Sequence, residues 1–254
     1  MDTSESYNEL ASHYHLIFEN WEASIDRQAA VLSSVLEREC SLDGAARILD
    51  CACGIGTQSL GLAKKGFRVT GCDISSKSIE RARLEAKKRS LDIQFSVASL
   101  LNLDHFGESS FDAVICMDNA LPHLQSTEEL LPAAMQIRAK LRRGGCFMAS
   151  IRDYDDLLKE RPVVQGPSFY SDEGRRRIVF QVWDWLDDRR YTFHLYITRE
   201  IENTWETVHA SAVYRGLLRD EVAAALSHAG FANERWLFPS NTGFYQPIVV
   251  AEAI

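Results

Sequence analysis

The chain has 254 residues, of which 46% are hydrophobic and 25% charged, with a net charge of −8 and a sequence pI near 5.4. That is a globular composition, and surface scaling lets such a chain bury about 73% of its unfolded surface, enough for a sizeable core. The acidic balance disfavours a groove gripping many phosphates, and no apolar run approaches the ~20 residues of a bilayer span, so neither a nucleic-acid nor a membrane partner is expected.

The start, Met1-Asp2-Thr3-Ser4-Glu5, is acidic and polar and lacks the features of a secretory signal. Residues 7–27 carry Tyr7, Tyr14, Phe18 and Trp21, and residues 23–38 place Ile25, Ala29, Leu32 and Leu36 on one helical face. Arg47–Ala52 reads as a short buried strand, followed by a Cys53-Gly54-Ile55-Gly56-Thr57 turn and a helix ending near Lys64-Lys65-Gly66. Phe67–Cys72 is a second strand, 76–89 a helix and Ile93–Val97 a third strand. Phe111–Cys116 is a fourth, and Ser126 with Glu129 forms a capping box for a helix that Arg142-Arg143-Gly144-Gly145 ends. Cys146–Ile151 is a fifth strand. Strands alternating with helices imply parallel pairing and right-handed crossovers, hence a doubly wound α/β sheet.

After Tyr154 the pattern changes. Residues 177–186, 190–200 and 204–215 are rich in aromatic and β-branched types, with a hairpin turn at Asp187-Asp188. They read as antiparallel strands added to the main sheet or laid across its top. Trp183, Trp185 and Trp205 there are packing aromatics or pocket lining. A helix at 219–229 and strands Phe231–Phe238 and Phe244–Ala253 close the chain, Pro247 suiting an edge or bulge. The six cysteines (40, 51, 53, 72, 116, 146) form no Cys-x-x-Cys pair and read as buried free thiols in a reduced cytoplasm. Cys51-x-Cys53 has the wrong spacing for zinc, and no metal is expected.

In an open α/β sheet, ligands sit at the carboxyl ends of the strands. Asp50-x-Ala52-x-Gly54-x-Gly56 lies there, with glycines that let the backbone approach a ligand. Asp73, at the end of the second strand, suits the two hydroxyls of a ribose. A dinucleotide site wants a third small residue for its pyrophosphate, and that position is Ser59. A nucleoside without phosphates is therefore favoured.

Asp50-x-x-x-Gly54-x-Gly56, Asp73 and Phe111–Cys116 together resemble the class I S-adenosylmethionine-dependent methyltransferases, over about residues 20–152. The resemblance implies a Rossmann-like sheet, mostly parallel with an antiparallel strand near its C-terminal edge, plus an antiparallel β insertion. It implies S-adenosylmethionine as cofactor and S-adenosylhomocysteine as product. Ala52, Gly54 and Gly56 would line the methionine part with Asp50 in the same cofactor set, Asp73 hold the ribose, Ile74 pack on adenine, and Ser99 and Leu100 follow the third strand at the adenine edge. Met117 and His123, after the fourth strand, complete that cofactor set, with a capping or core histidine after Pro122 as the equal alternative for His123.

Phe111-Asp-Ala-Val-Ile-Cys-x-x-Asn119, His123-Leu124 and Arg152-x-Tyr154-Asp155 resemble the narrower glycine and glycine/sarcosine N-methyltransferases. That implies Arg152 on the acceptor carboxylate, Asn119 between acceptor and cofactor, and Tyr170 facing the acceptor. Arg152 could instead pair with Asp155 or Asp156, Asn119 be a turn residue and Tyr170 pack in the core. Asp118 and Asp153 stand where the subgroup has a small residue and asparagine, two carboxylates that suit a cationic or larger amine. In the amino-terminal lid the resemblance puts Tyr14 (Tyr7 being the alternative) near the sulfonium, Trp21 against the cofactor and Arg27 on its carboxylate.

One methyltransferase domain over 1–254 is expected: a helical lid at 1–40, a cofactor core at 44–152, an antiparallel acceptor-side insertion at 153–216, and a closing helix and strands at 217–254. The expected activity is N-methylation of an amine-bearing small molecule in the cytoplasm, with a homo-oligomer compatible. A C- or O-methyltransferase of the ubiquinone or menaquinone type is the alternative. A cofactor-binding regulator without turnover and a dehydrogenase are further readings.

Overall fold

The computed structural model describes residues 3–254; Met1 and Asp2 of the acidic start lie outside the described residues. In chain order come α1 (Thr3–Leu10), a 3₁₀ turn (Tyr14–Ile17), α2 (Trp21–Cys40), β1 (Arg47–Asp50), α3 (Thr57–Lys64), β2 (Arg68–Asp73), α4 (Ser76–Lys88), β3 (Gln94–Val97) and β4 (Phe111–Cys116). A 3₁₀ turn (Leu121–His123), α5 (Thr127–Lys140), β5 (Leu141–Ser150) and α6 (Tyr154–Glu160) follow. Then come β6 (Val164–Asp172), β7 (Arg175–Trp185), β8 (Arg190–Ile201) and β9 (Thr204–Arg215). The chain closes with α7 (Arg219–His228), β10 (Phe231–Leu237), α8 (Pro239–Thr242) and β11 (Ile248–Ala253).

The main sheet has seven strands in the order β10-β11-β5-β4-β1-β2-β3. It is parallel except at the edge, where β11 runs antiparallel to both β5 and β10. Strand alternation divides its core between two faces. Leu49, Val114 and Phe147 point toward Leu130, Ile137 and Leu226 of α5 and α7. Their neighbours Ile48, Ile115 and Met148 point toward Leu32 and Leu36 of α2 and Leu62 of α3. Each such side chain, buried on both sheet faces, contributes about 1.5–3 kcal/mol. No helix among the described residues is long and apolar enough to cross a membrane.

The insertion forms its own four-stranded antiparallel sheet, β6-β7-β8-β9. Leu10 of α1 packs on Val179, Leu195, Ile197 and Ala210 of that sheet, with Tyr7 and Tyr14 alongside. The amino-terminal segment and the second sheet thus roof the carboxyl ends of the main strands.

Four local readings need correction. Residues 164–172, which lie outside the strands the sequence pattern marks, are strand β6, because they complete an edge with β7. The fifth strand starts at Leu141 rather than Cys146: Leu141 pairs with Phe111, and Arg142–Gly145 are absorbed in a register shift with Gly144 at φ +71°. Ser126 makes no side-chain cap, since the Glu129 carboxylate accepts from the Gln125 amide, one residue earlier than a capping box requires. Cys40, at the end of α2, is bridged to Cys146 on β5; the other four cysteines are free and buried.

Candidate functional site

β1 and β4 are neighbours whose chains continue to opposite sides of the sheet, and a crevice opens at their carboxyl ends. β1 stops at Asp50, and the chain turns through Gly54 (φ +53°) and Gly56 (φ +96°) into α3. Both glycines occupy the left-handed region that a Cβ disfavours. They serve different needs. A Cβ on Gly54 would meet nothing within 4 Å, whereas on Gly56 it would press on Leu60 and Ala82. Gly54 accordingly faces a cavity of about 230 Å³, and Gly56 packs the turn onto its helix.

Asp73 ends β2 on the wall of that cavity. Its Oδ2 accepts from the Gly54 amide (2.8 Å) and its Oδ1 from the Ser75 amide (2.9 Å), so backbone fixes the carboxylate and leaves acceptor capacity free. Burial raises its pKa. Ala52, Ile74, Ser99, Leu100, Met117 and His123 line the same cavity. Ile74 is 43% exposed and Leu101 40%, an uncovered apolar pair suited to a planar base. His123 bonds the Tyr7 hydroxyl through Nε2 (2.9 Å), and burial pushes its pKa down to about 4, so the ring is neutral. A cationic nucleoside fits these residues: an open glycine for close approach, a fixed carboxylate for a diol, and two cavity carboxylates, Asp73 and Asp118, for positive charge.

Beyond β4, Asp118 (φ +56°) and Asn119 (φ +65°) turn the chain across the strand end. A second cavity of about 490 Å³ meets the first there, with Tyr7, Tyr14 and Asp118 lining both. Arg152, just beyond β5, lines the second cavity. Its guanidinium donates to the Tyr191 hydroxyl (2.8 Å) and Gln181 Oε1 (3.3 Å) and lies 4.6 Å from the Trp183 ring centre. Among the described residues it makes no ion pair, with Asp155, Asp156 or any other carboxylate. Asn119 is buried with both ends of its amide engaged: Nδ2 donates to the Tyr154 hydroxyl (3.0 Å) and Oδ1 accepts from the Arg152 amide (3.0 Å). It therefore holds Arg152 in place. Tyr170, on β6, lines the second cavity beneath the Arg177 guanidinium, 4.7 Å from its ring centre.

Some expected residues lie elsewhere. Asp50 is fully buried under the glycine turn rather than in the cavity; it accepts from Ser59 Oγ (2.6 Å) and the Ala52 amide, and burial pushes it up to about 7. Trp21 packs with Ile25, Ile79 and Phe95 and touches the cavity only through Thr57, whose Oγ1 accepts from its indole (2.9 Å). Arg27 lies on the second cavity, not the first, bonded to Ser24 Oγ (3.3 Å). Asp153 pairs with Arg219 (2.6 Å) and faces away from the site. Sequence reasoning missed Gln58, Gln181, Tyr214 and Tyr245. Strand alternation would have found Gln181 and Tyr214, which share an inward face with Trp183 and Tyr191. Tyr245 sits in a connection without periodicity and had no signal.

Residues 48–145 match a family model described as a methyltransferase domain. Human glycine N-methyltransferase is 34% identical over 142 residues, covering 50% of this chain and 48% of that one. The glycine/sarcosine N-methyltransferase of Parasynechococcus marenigrum (strain WH8102) is 32% identical over 142 residues, covering 55% and 48%. The chain thus spans about half the length of these curated relatives. The structure of SAM-bound CalS10, an amino pentose methyltransferase from Micromonospora echinaspora involved in calicheamicin biosynthesis, shares the fold with a TM-score of 0.74, over 96% of this chain and 95% of that one, at 21% identity. Residues 48–145 are therefore similar in sequence to a methyltransferase domain, and the chain shares the fold of a SAM-bound methyltransferase.

Proposed function

We propose that the protein moves a methyl group from S-adenosylmethionine to the nitrogen of a small amine that carries an anionic group, an amino acid of the glycine or sarcosine kind being the simplest. The observation that carries this reading is Arg152: a guanidinium enclosed by aromatic rings, without a carboxylate partner among the described residues, on a cavity that opens into the one over Gly54 and Asp73. Such a cation asks for an anion, and the charge-assisted pair contributes about 1.5–3 kcal/mol. The N-methyltransferase names of the two sequence relatives support nitrogen as the methylated atom. An apolar quinone precursor, the acceptor of a C- or O-methyltransferase, would leave Arg152 unpaired.

When bound, S-adenosylmethionine supplies a methyl group on a positively charged sulfur, already activated for in-line displacement. The chain's task is then mainly alignment, which can lower a barrier by ~7–11 kcal/mol. Asp73 accepts the ribose hydroxyls, Gly54 and Ala52 pass close to the methionine part, and Ile74, Ser99 and Leu100 border the base. Tyr7 and Tyr14 close the junction of the two cavities against water. Residues 1–40 act as lid, 44–152 as cofactor core, 153–216 as acceptor wall and 217–254 as the closing edge of a single catalytic unit.

The test is S-adenosylhomocysteine release across glycine, sarcosine, dimethylglycine, amines without a carboxylate, and phenols. Turnover is expected with the amino-carboxylates, and Arg152→Ala should raise their KM at least tenfold. Turnover confined to uncharged phenols, or a KM indifferent to Arg152, would sink the reading.

A further inference from the structure

We infer that Asp118 is the amine-side residue of the acceptor site: its carboxylate receives the acceptor's ammonium and takes one proton from it, while Arg152 holds the anionic end, so the acceptor is a zwitterion. This rests on the methyltransferase reading above and goes beyond it by assigning the proton acceptor.

Place comes first. Asp118 lines both cavities, at the junction where donor and acceptor must meet. Its backbone is unusual. Asp118 and Asn119 are consecutive non-glycine residues in the left-handed region, and such strain persists only where the surroundings impose it. Here the Asp118 amide donates to Ser150 Oγ (2.8 Å) and the Asn119 amide to the Ser150 carbonyl (3.0 Å). Asn119 Oδ1 in turn holds the amide of Arg152. One hydrogen-bonded loop therefore sets the positions of both the carboxylate and the guanidinium.

Chemistry comes second. Asp118 Oδ2 accepts from Gln58 Nε2 (2.7 Å), which also donates to Gln28 Oε1, and Oδ1 accepts from the Tyr245 hydroxyl. Both partners are neutral, and among the described residues Asp118 pairs with no cation. A carboxylate offers about four acceptor sites, so lone pairs remain for a ligand. The fold does not need the charge, because asparagine tolerates the left-handed region and could accept from Gln58. Burial raises the Asp118 pKa, opposed by the Tyr245 and Gln58 bonds, which moves the group toward a proton-accepting role. The hydroxyls of Tyr14 and Tyr245 face it, and the carboxyl of Asp50, beneath the glycine turn, lies within electrostatic reach.

The step balances. The ammonium gives one proton to the Asp118 carboxylate, and the freed nitrogen lone pair forms the new N–C bond. The S–C bond breaks with its electron pair retained by sulfur, which becomes a neutral thioether. The methylated nitrogen is left as an ammonium, and Asp118 later releases its proton to water.

The test uses the full chain saturated with S-adenosylhomocysteine and two probes, acetate and sarcosine, titrated by calorimetry. Asp118→Asn should keep S-adenosylhomocysteine affinity within about threefold, keep acetate within twofold and weaken sarcosine at least tenfold. Arg152→Gln should weaken both probes. An unchanged sarcosine-to-acetate preference in Asp118→Asn overturns the assignment while leaving the methyltransferase reading intact. A wild-type protein that binds S-adenosylhomocysteine but neither probe overturns the amino-carboxylate reading and this inference with it. If Asp118→Asn fails to fold, Asp118→Gly, which relieves the strained φ, carries the same comparison.

Discussion

Asp50, fully buried, and Asp73, half-buried, are acids beside one glycine turn, yet their work differs. Asp73 spends its amide bonds on being oriented and keeps a face to the cavity. Asp73→Ala is therefore expected to weaken S-adenosylhomocysteine at least tenfold in calorimetry, and an unchanged affinity would remove its ribose role. Asp50 holds the turn from below, with Oδ1 lacking a partner among the described residues, and burial lifts its pKa from 3.8 to about 7. An acid whose pKa rises on folding favours the folded state while protonated, and loses that contribution as pH climbs from about 4 through about 7. Asp50→Asn, an isostere of the protonated acid, should flatten the fall in melting temperature between pH 5 and 8. Part of the fall should persist, since burial also raises Asp73 and Asp118. A variant whose pH slope equals the wild type's would show Asp50 ionised throughout.

At the scale of elements, the joint between the amino-terminal segment and the second sheet turns on Arg177 of β7. The side chain is 2% exposed, clamps both oxygens of Asp172 (2.6 and 2.8 Å), and donates to the carbonyls of Leu16, Phe18 and Glu19. Those carbonyls follow Tyr14, so Arg177 fastens the amino-terminal segment over the cavities. Arg177→Gln leaves three carbonyls without their cation. It should make the 11–20 stretch the first site of limited proteolysis and raise the Kd for S-adenosylhomocysteine severalfold; equal protease resistance would show that the lid is held elsewhere. The joint was not legible in the sequence, since it links residues some 160 positions apart and neither partner lies in a motif. The lid aromatics were legible only as a group. Asn20 caps α2 through the Ala23 amide, breaking the helical phase there, so Tyr14 and Phe18 reach the second cavity while Trp21 turns into the core. By contrast, the strands and helices of 47–150 follow hydrophobic period and glycine turns, which are local signals, and they lie within a few residues of where those signals put them.

For the molecule as a whole, the two cavities are built by three separate parts of the chain. Gly54 and Asp73 come from the main sheet, Tyr7 and Tyr14 from the amino-terminal segment, and Arg152, Gln181 and Tyr214 from the seam with the second sheet. A ligand that fills the first cavity should therefore tie these parts together and resist unfolding globally. At a hundredfold excess over Kd, binding adds about 2.7 kcal/mol, and in a chain of this size each kcal/mol moves the melting point by about 2–4 °C. S-adenosylmethionine or S-adenosylhomocysteine should thus raise Tm by about 5–10 °C at that excess. A nicotinamide dinucleotide should raise it by none. Its pyrophosphate would have to approach a turn whose third small position is Ser59, fully buried with its hydroxyl spent on Asp50, beside a cavity lined among the described residues by the carboxyls of Asp73, Asp118 and Glu129 and by no lysine or arginine. That arrangement favours a cation over an anion at the turn. A Tm raised by the dinucleotide and unmoved by the sulfonium nucleoside would reverse the sign of charge assigned to the crevice, and with it the reason for placing a methyl donor there.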